Sequence, residues 1–314
     1  MHILVTGGCG YIGSILTPKL LNMGHQVTVF DIMWFGNHFA GNNNLTVVRG
    51  DIRNVDSVPM EGIDAIIHLA NIANDPCGDL NAKLAWEVNV LATMGLVEKA
   101  IAHKVKQFIL SSSGSVYGVK EDLKVTEDLP LVPISDYNKT KMISERVLMS
   151  YKDQITVQCI RPATVCGYSP RMRLDLSVNM LTIQALANGR ITVFGGDQTR
   201  PNINIQDITD VFIHFLNLGD KAPGVYNAGF ENISILDIAK RVTEHVPAEI
   251  VVSESNDPRS YRLNADKLLS TGFTQKHTVN DAILEIIEAF RTGALKDQDL
   301  CYNIKTMIKM DYLA

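Results

Sequence analysis

The sequence predicts an α/β fold: a doubly wound parallel sheet covered by helices, followed by a smaller C-terminal α/β substrate-binding lobe. Three observations predict it. Short β-branched runs alternate with apolar stretches at helical spacing through the first half of the chain. A glycine-rich turn joins the first run to the first such stretch. After Arg161 the rhythm changes to shorter elements punctuated by Pro162, Gly167, Pro170, Gly189, Gly195, Gly196 and Pro201. Alternation of the first kind builds right-handed βαβ units, whose strands lie parallel with both faces covered.

The predicted strands end at Thr6, Phe30, Arg49, His68 and Leu110, and the run 155–160 adds one more to the sheet. Helical spacing covers 11–23, 83–103 and 138–151. In the second half it covers 174–187, 208–218, 235–245 and 279–290. We divide the chain into a sheet domain over 1–165, a lobe over 166–294 partly interleaved with it, and a tail over 295–314. The tail either packs as an extra helix or stays mobile.

With 314 residues the chain buries a large core without staples. Hydrophobic residues at 46% and charged residues at 20% are the mix of a soluble globular protein. A net charge of −5 supplies no global positive field, so nucleic acid is not an expected partner. No apolar run is long enough to span a membrane. The apolar start, Met1 to Val5, is interrupted by Thr6-Gly7-Gly8 and reads as a buried strand rather than a signal peptide. Cys9, Cys77, Cys159, Cys166 and Cys301 lack metal-type spacing, so no metal is expected. Buried free thiols fit a reducing cytoplasm.

TGGCGYIG, residues 6–13, follows the first strand and opens the first helix. Gly7 permits a tight turn, Gly10 lets backbone approach a pyrophosphate, and Gly13 lets helix pack on strand. The N–H groups of Tyr11 and Ile12 begin a helix whose positive end faces the phosphates. Asp31 ends the second strand, where a carboxylate accepts the adenosine ribose hydroxyls and repels a 2′-phosphate. The expected cofactor is therefore NAD rather than NADP, on a Rossmann-type sheet. Asp51 and Ile52, at the end of the third strand, border the adenine in this reading.

Tyr137 and Lys141 are four apart near a helix start and share one face. A tyrosine with a pKa of about 10 is a poor base at neutral pH. A lysine ammonium and the nicotinium charge would lower it, so Tyr137 could take a hydroxyl proton as hydride leaves. The loop SSSGSVYG, residues 111–118, follows the fifth strand, and its hydroxyls could orient a reacting sugar oxygen.

These motifs together resemble the extended short-chain dehydrogenases/reductases, in the nucleotide-sugar epimerase/dehydratase group that contains UDP-galactose 4-epimerase. The matching residues are TGGCGYIG, Asp31, Asp51-Ile52, His68-Leu69-Ala70, Asn89 in VNVLAT, SSSGSVYG, YNKTK and RPNINIQDI. The resemblance implies catalytic roles for Ser113, Tyr137 and Lys141, and cofactor contacts at Leu69, Ala70, Asn89 and Ser111. It implies a nucleoside-diphosphate sugar as substrate, with Asn179 and Arg200 near its diphosphate and Thr164 near its sugar. The family's second phosphate arginine would align near Ser253, and Arg259 or Arg262 stands in for it. A homodimer through helices 83–103 and 138–151 is implied as well.

Family dehydratases carry an Asp-Glu pair directly after the catalytic hydroxyl residue. Here Gly114-Ser115 stands in that place and cannot shuttle a proton, which disfavours dehydration. The basic run Ser169-Pro170-Arg171-Met172-Arg173 either contacts base or phosphate or is a solvated loop. His68 reads as a core histidine, and Trp34 and Phe35 as cofactor-mouth residues or a loop staple. The leading function is 4-epimerisation by transient oxidation at C4. The alternatives are a C4 dehydrogenase that releases a 4-keto product and a non-catalytic NAD(H) sensor or scaffold.

Overall fold

The structure is a computed structural model that describes residues 1–254 and 260–310. In the first half, β1 (His2–Thr6) leads into α1 (Gly13–Asn22), β2 (Gln26–Asp31), β3 (Leu45–Arg49) and β4 (Ala65–His68). Then come α2 (Asp75–Leu80), α3 (Ala82–Trp86), α4 (Ala92–Ala102), β5 (Gln107–Ser111), α5 (Asp136–Ser150) and β6 (Thr156–Pro162). β1 and β4 are buried almost throughout, which is why they read as continuous apolar runs.

Side chains alternate across the sheet. Ile3, Val5, Val27 and Val29 pack on one face with Leu16 and Leu20 of α1. Leu4, Phe30 and Ile66 pack on the other with Leu96 and Val97 of α4 and Leu148 of α5. The predicted helix 83–103 is interrupted by a wide π-type turn, Glu87–Leu91. Its cause is visible. The Asn89 carbonyl accepts from Thr93 Oγ1 at 2.7 Å and from Ser144 Oγ at 2.6 Å, bonds that compete with the helical ladder.

The second half adds β7 (Thr164–Cys166), α6 (Ser177–Asn188), β8 (Arg190–Phe194), β9 (Thr199–Asn204), α7 (Ile205–Leu218) and β10 (Gly224–Ala228). It continues with β11 (Glu231–Ser234), α8 (Ile235–Thr243), β12 (Glu249–Ser253), α9 (Asp266–Leu269), α10 (Val279–Arg291) and α11 (Asn303–Lys309). Seven strands form one parallel sheet in the order β10-β6-β5-β4-β1-β2-β3, so the chain returns to the sheet after residue 165. Phe212 and Phe215 of α7 pack beneath that sheet on the α1 face. The small sheets β11-β9-β7 and β12-β8 carry the rest of the lobe, with a core between α6, α8 and α10. The tail packs through residue 309: Leu174 N–H donates to Cys301 O at 2.8 Å, and α11 lies against α2. No helix of the described residues is long and apolar enough to cross a membrane.

One buried ion pair joins these layers. Arg161 of β6 and Glu145 of α5 meet at 2.7 Å with side chains 5% and 3% exposed. Arg161 Nη1 also donates to the Tyr117 hydroxyl at 2.6 Å, which donates to Asn227 of β10 at 2.9 Å. Removing one partner of such a pair leaves an uncompensated buried charge. Arg161→Met is expected to lose about 3–5 kcal/mol of stability in urea denaturation. The double substitution Arg161→Met with Glu145→Leu should recover a large part of it.

Candidate active site

A cavity of about 630 Å³ opens at the C-terminal ends of the sheet strands and extends to the second lobe. This is where ligands bind in open α/β sheets, because loops diverge there and helix N-termini point inward. At one end lies the turn Thr6–Gly13. Gly7 has φ +69° and a Cβ there would stand 2.5 Å from Ala70 N; at Gly13 it would stand 2.3 Å from Gly8 O. Both positions exclude any other residue, and the turn stays tight enough to aim the start of α1 into the cavity. Gly7, Gly10, Tyr11, Ile12 and Gly13 all line it.

Asp31 is braced between two segments. Its Oδ2 accepts from Cys9 N at 2.9 Å and its Oδ1 from Met33 N at 2.6 Å. Burial pushes the carboxyl above its usual range, against those two N–H groups. Each oxygen keeps a lone pair for a ribose hydroxyl. Asp51 and Ile52 line the cavity nearby. Burial would raise Asp51, but Arg53 at 2.7 Å outweighs it and holds the carboxyl below its usual range. Leu69, Ala70, Trp34 and Phe35 complete this end. The residues present fit a dinucleotide: a glycine cradle, a helix N-terminus and a ribose-reading carboxylate.

Midway along the wall lie Ser111, Ser113, Tyr137 and Lys141. Ser113 Oγ bonds Ser115 Oγ at 2.7 Å, and Ser115 donates on to Asn138 Oδ1. Burial raises the Tyr137 phenol to about 12, opposed chiefly by a hydrogen bond with Ser113 and then by Arg173. Lys141 is 3% exposed and gives its Nζ to the Ser111 carbonyl at 2.7 Å. Desolvation lowers it to about 7. Desolvation dominates both groups, and Arg173 is a cation that opposes it at Tyr137. His68 is a core histidine between Thr6 Oγ1 and Thr93 Oγ1, and burial lowers it to about 3.

At the far end Thr164 of β7 and Arg200 of β9 line the cavity. Three expected contacts do not. Asn89 is 2% exposed and spends its amide on Ile72 N, Ile72 O and Thr140 Oγ1, so it positions the loop after β4. Asn179 is fully buried, accepting from Gly167 N at 3.0 Å and donating to Tyr11 Oη and Arg173 O. Both of its N–H groups are used, so it holds Tyr11 and the Arg173 loop rather than a ligand. Arg262 lies off the wall, in a stretch whose carbonyl receives Val125 N at 2.8 Å. Arg259 lies outside the described residues.

Other wall residues were not predicted. Asp175 pairs with Arg173 at 2.9 Å and accepts from Asn74 Nδ2 at 2.9 Å. Asn303 and Ile304 reach the wall from α11. Asn74-Asp75-Pro76 carried a readable signal, a cap followed by proline at a helix start, and Asn74 does cap α2. Nothing in the tail sequence announces its docking. The basic run is not a solvated loop: Arg171 is 3% exposed and Arg173 is 13% exposed in its ion pair.

Lys141 also carries a pH signature. With its pKa near 7 in the fold and about 10.4 in the unfolded chain, the unfolded state binds more protons between these values. Stability from this group therefore rises with pH from 7 toward 10. The melting temperature of the unmodified chain should gain on that of Lys141→Met over this window. Parallel curves for the two proteins would contradict the burial argument.

Comparison with known proteins agrees with this geometry. The family described as "NAD dependent epimerase/dehydratase family" matches residues 3–229. The "UDP-glucose 4-epimerase" of Halalkalibacterium halodurans is 30% identical over 301 residues, covering 85% of this chain and 88% of that protein. The "UDP-glucuronic acid decarboxylase 1" of Xenopus tropicalis is 30% identical over 237 residues, covering 71% of this chain and 55% of that protein. Among solved structures, the UDP-glucuronic acid 4-epimerase from Bacillus cereus, in complex with UDP-glucuronic acid and NAD, superposes with a TM-score of 0.79 at 28% identity. That match covers 93% of this chain and 99% of that one. The chain therefore belongs to the NAD dependent epimerase/dehydratase family and is an NAD-using enzyme.

Proposed function

We propose that the chain epimerises a nucleoside-diphosphate sugar at C4. The observation that carries this reading is that Ser113, Tyr137 and Lys141 share one wall of a cavity that runs from the glycine turn to Arg200. Ser113 orients the C4 oxygen and Tyr137 takes its proton. When bound, NAD supplies the acceptor for the C4 hydride and its donor on the return. Tyr137 gives the proton back to the same oxygen after the ketone has presented its other face, so no external oxidant is consumed. The phenol, raised to about 12 by burial, needs cations to ionise; Arg173 is one of them. Lys141, anchored on the Ser111 carbonyl, holds the strand end against α5.

Gly114-Ser115 argues against dehydration. Ser115 lines the cavity, yet its hydroxyl is engaged by Ser113 and Asn138 and has no acid or base function at neutral pH. Relatives named for epimerisation support the C4 reading, and a relative is named as a UDP-glucuronic acid decarboxylase. A 4-dehydrogenase would use the same residues and differs in letting the ketone leave.

With a panel of nucleotide sugars, the expected product is a C4 epimer without net NADH. Tyr137→Phe should keep the fold and lose ~10²–10⁴-fold in turnover, since only a positioned base is removed. Ser113→Ala should lose less. Near-normal turnover by Tyr137→Phe would end this reading, and a keto sugar with stoichiometric NADH would replace epimerisation by dehydrogenation.

A homodimer is proposed through helices 82–102 and 136–150. Trp86, Leu91 and Met94 are 37%, 57% and 39% exposed on that face, large apolar groups that a partner copy would cover. Light scattering should give a dimer that Leu91→Glu with Met94→Glu converts to a monomer.

A further inference from the structure

We propose that Arg171 is a receptor for the cofactor's diphosphate, delivered from the substrate lobe and held in aim by Asn303 of the C-terminal segment. Arg171 is 3% exposed and lines the cavity. It makes no ion pair with any carboxylate among the described residues. Its guanidinium lies 3.6 Å over the Phe35 ring, on the loop that follows β2. Nη2 donates to Asn303 Oδ1, Nη1 to Met172 O at 3.3 Å, and Nε is buried with no partner.

A buried cation without an anion costs stability. Asp31 and Asp175 act on it from nearby, but neither forms an ion pair with it among the described residues. Asp31 is taken up by Cys9 N and Met33 N, and Asp175 by Arg173 and Asn74. Desolvation first, and then Arg173, lower the pKa of Arg171 to about 9, the same imbalance seen from the titration side.

Position tells which anion fits. Arg171 acts electrostatically on Asp31, and Tyr11 acts on it in turn; both belong to the glycine-turn end of the cavity. There the N-terminus of α1 offers N–H groups and a positive dipole end. A diphosphate between the helix start and a planar guanidinium would be gripped from both lobes. The stack on Phe35 holds the guanidinium plane, and Asn303 holds its tip. Asn303 is itself fixed: Leu174 N bonds Cys301 O at 2.8 Å, and Asn303 N reaches Asp175 at 3.4 Å. This contact comes from the C-terminal segment, beyond residues 3–229 that match the family.

The proposal concerns cofactor binding and stands apart from the C4 reading. Calorimetry with NAD⁺ and with adenosine, which has no phosphate, tests it on Arg171→Met and Asn303→Ala. Arg171→Met should weaken NAD⁺ about 10–100-fold, the worth of a charge-assisted contact, and leave adenosine within about twofold. Asn303→Ala should weaken NAD⁺ by a few-fold in the same direction. Without NAD⁺, the melting temperature of Arg171→Met should equal or exceed that of the unmodified chain, because an uncompensated buried charge is gone. Unchanged NAD⁺ affinity would overturn the proposal. So would an equal loss of NAD⁺ and adenosine together with a lowered melting temperature, which would make Arg171 a packing residue.

Discussion

Glu145 and Arg161 are a carboxylate and a guanidinium with almost no access to water, and every segment bearing a reacting group is tied to them. Arg161 Nε bonds Glu145 Oε1 at 2.9 Å, and Ser112 donates to the same carboxylate from the loop after β5. Tyr117 closes that loop onto Arg161. Glu145 lies one helical turn beyond Lys141 and two beyond Tyr137, so fixing it fixes the face of α5 that lines the cavity. The hydroxyl loop and the tyrosine helix are thus set against each other by charge before any ligand is present. Such a pair adds little net stability, but breaking it is costly, and that favours one arrangement.

The cavity itself is an accumulation of unfavourable burials. Lys141 is lowered by desolvation, Tyr137 is raised by it, and Arg171 forms no ion pair with a carboxylate among the described residues. Groups in this condition bind charged or hydrogen-bonding ligands with a gain unavailable to groups already solvated. The fold can carry them because the sheet core is large and apolar on both faces. Perturbed groups gather where function needs them, and here they gather at the strand ends.

Two parts of the chain that sequence order separates meet at this cavity. The sheet domain brings the glycine turn, Asp31 and the hydroxyl loop. The second lobe brings Thr164, Arg171, Arg173 and Arg200, and the tail brings Asn303. The lobe cannot swing freely as a unit, because α7 and β10 belong to the main sheet and its core. Lys19 of α1 reinforces this by reaching Asp210 of α7 at 2.7 Å.

The parallel sheet, the glycine turn with Asp31, and the Tyr137–Lys141 face were legible in the sequence because each rests on local periodicity or on spacing within one element. The break in helix 83–103 was not, since it comes from Ser144 reaching across to the Asn89 carbonyl. Nor was the fate of Asn89 and Asn179, polar residues whose motif placement suggested ligands but whose partners are other segments of the chain. Whether a polar side chain faces a ligand or props a loop depends on which distant backbone groups need satisfying, and only the tertiary structure decides that. The same holds for the basic run 169–173. Its sequence permits a solvated loop, and it became a cavity wall because Phe35, Asp175 and Asn303, drawn from three separate parts of the chain, enclose it.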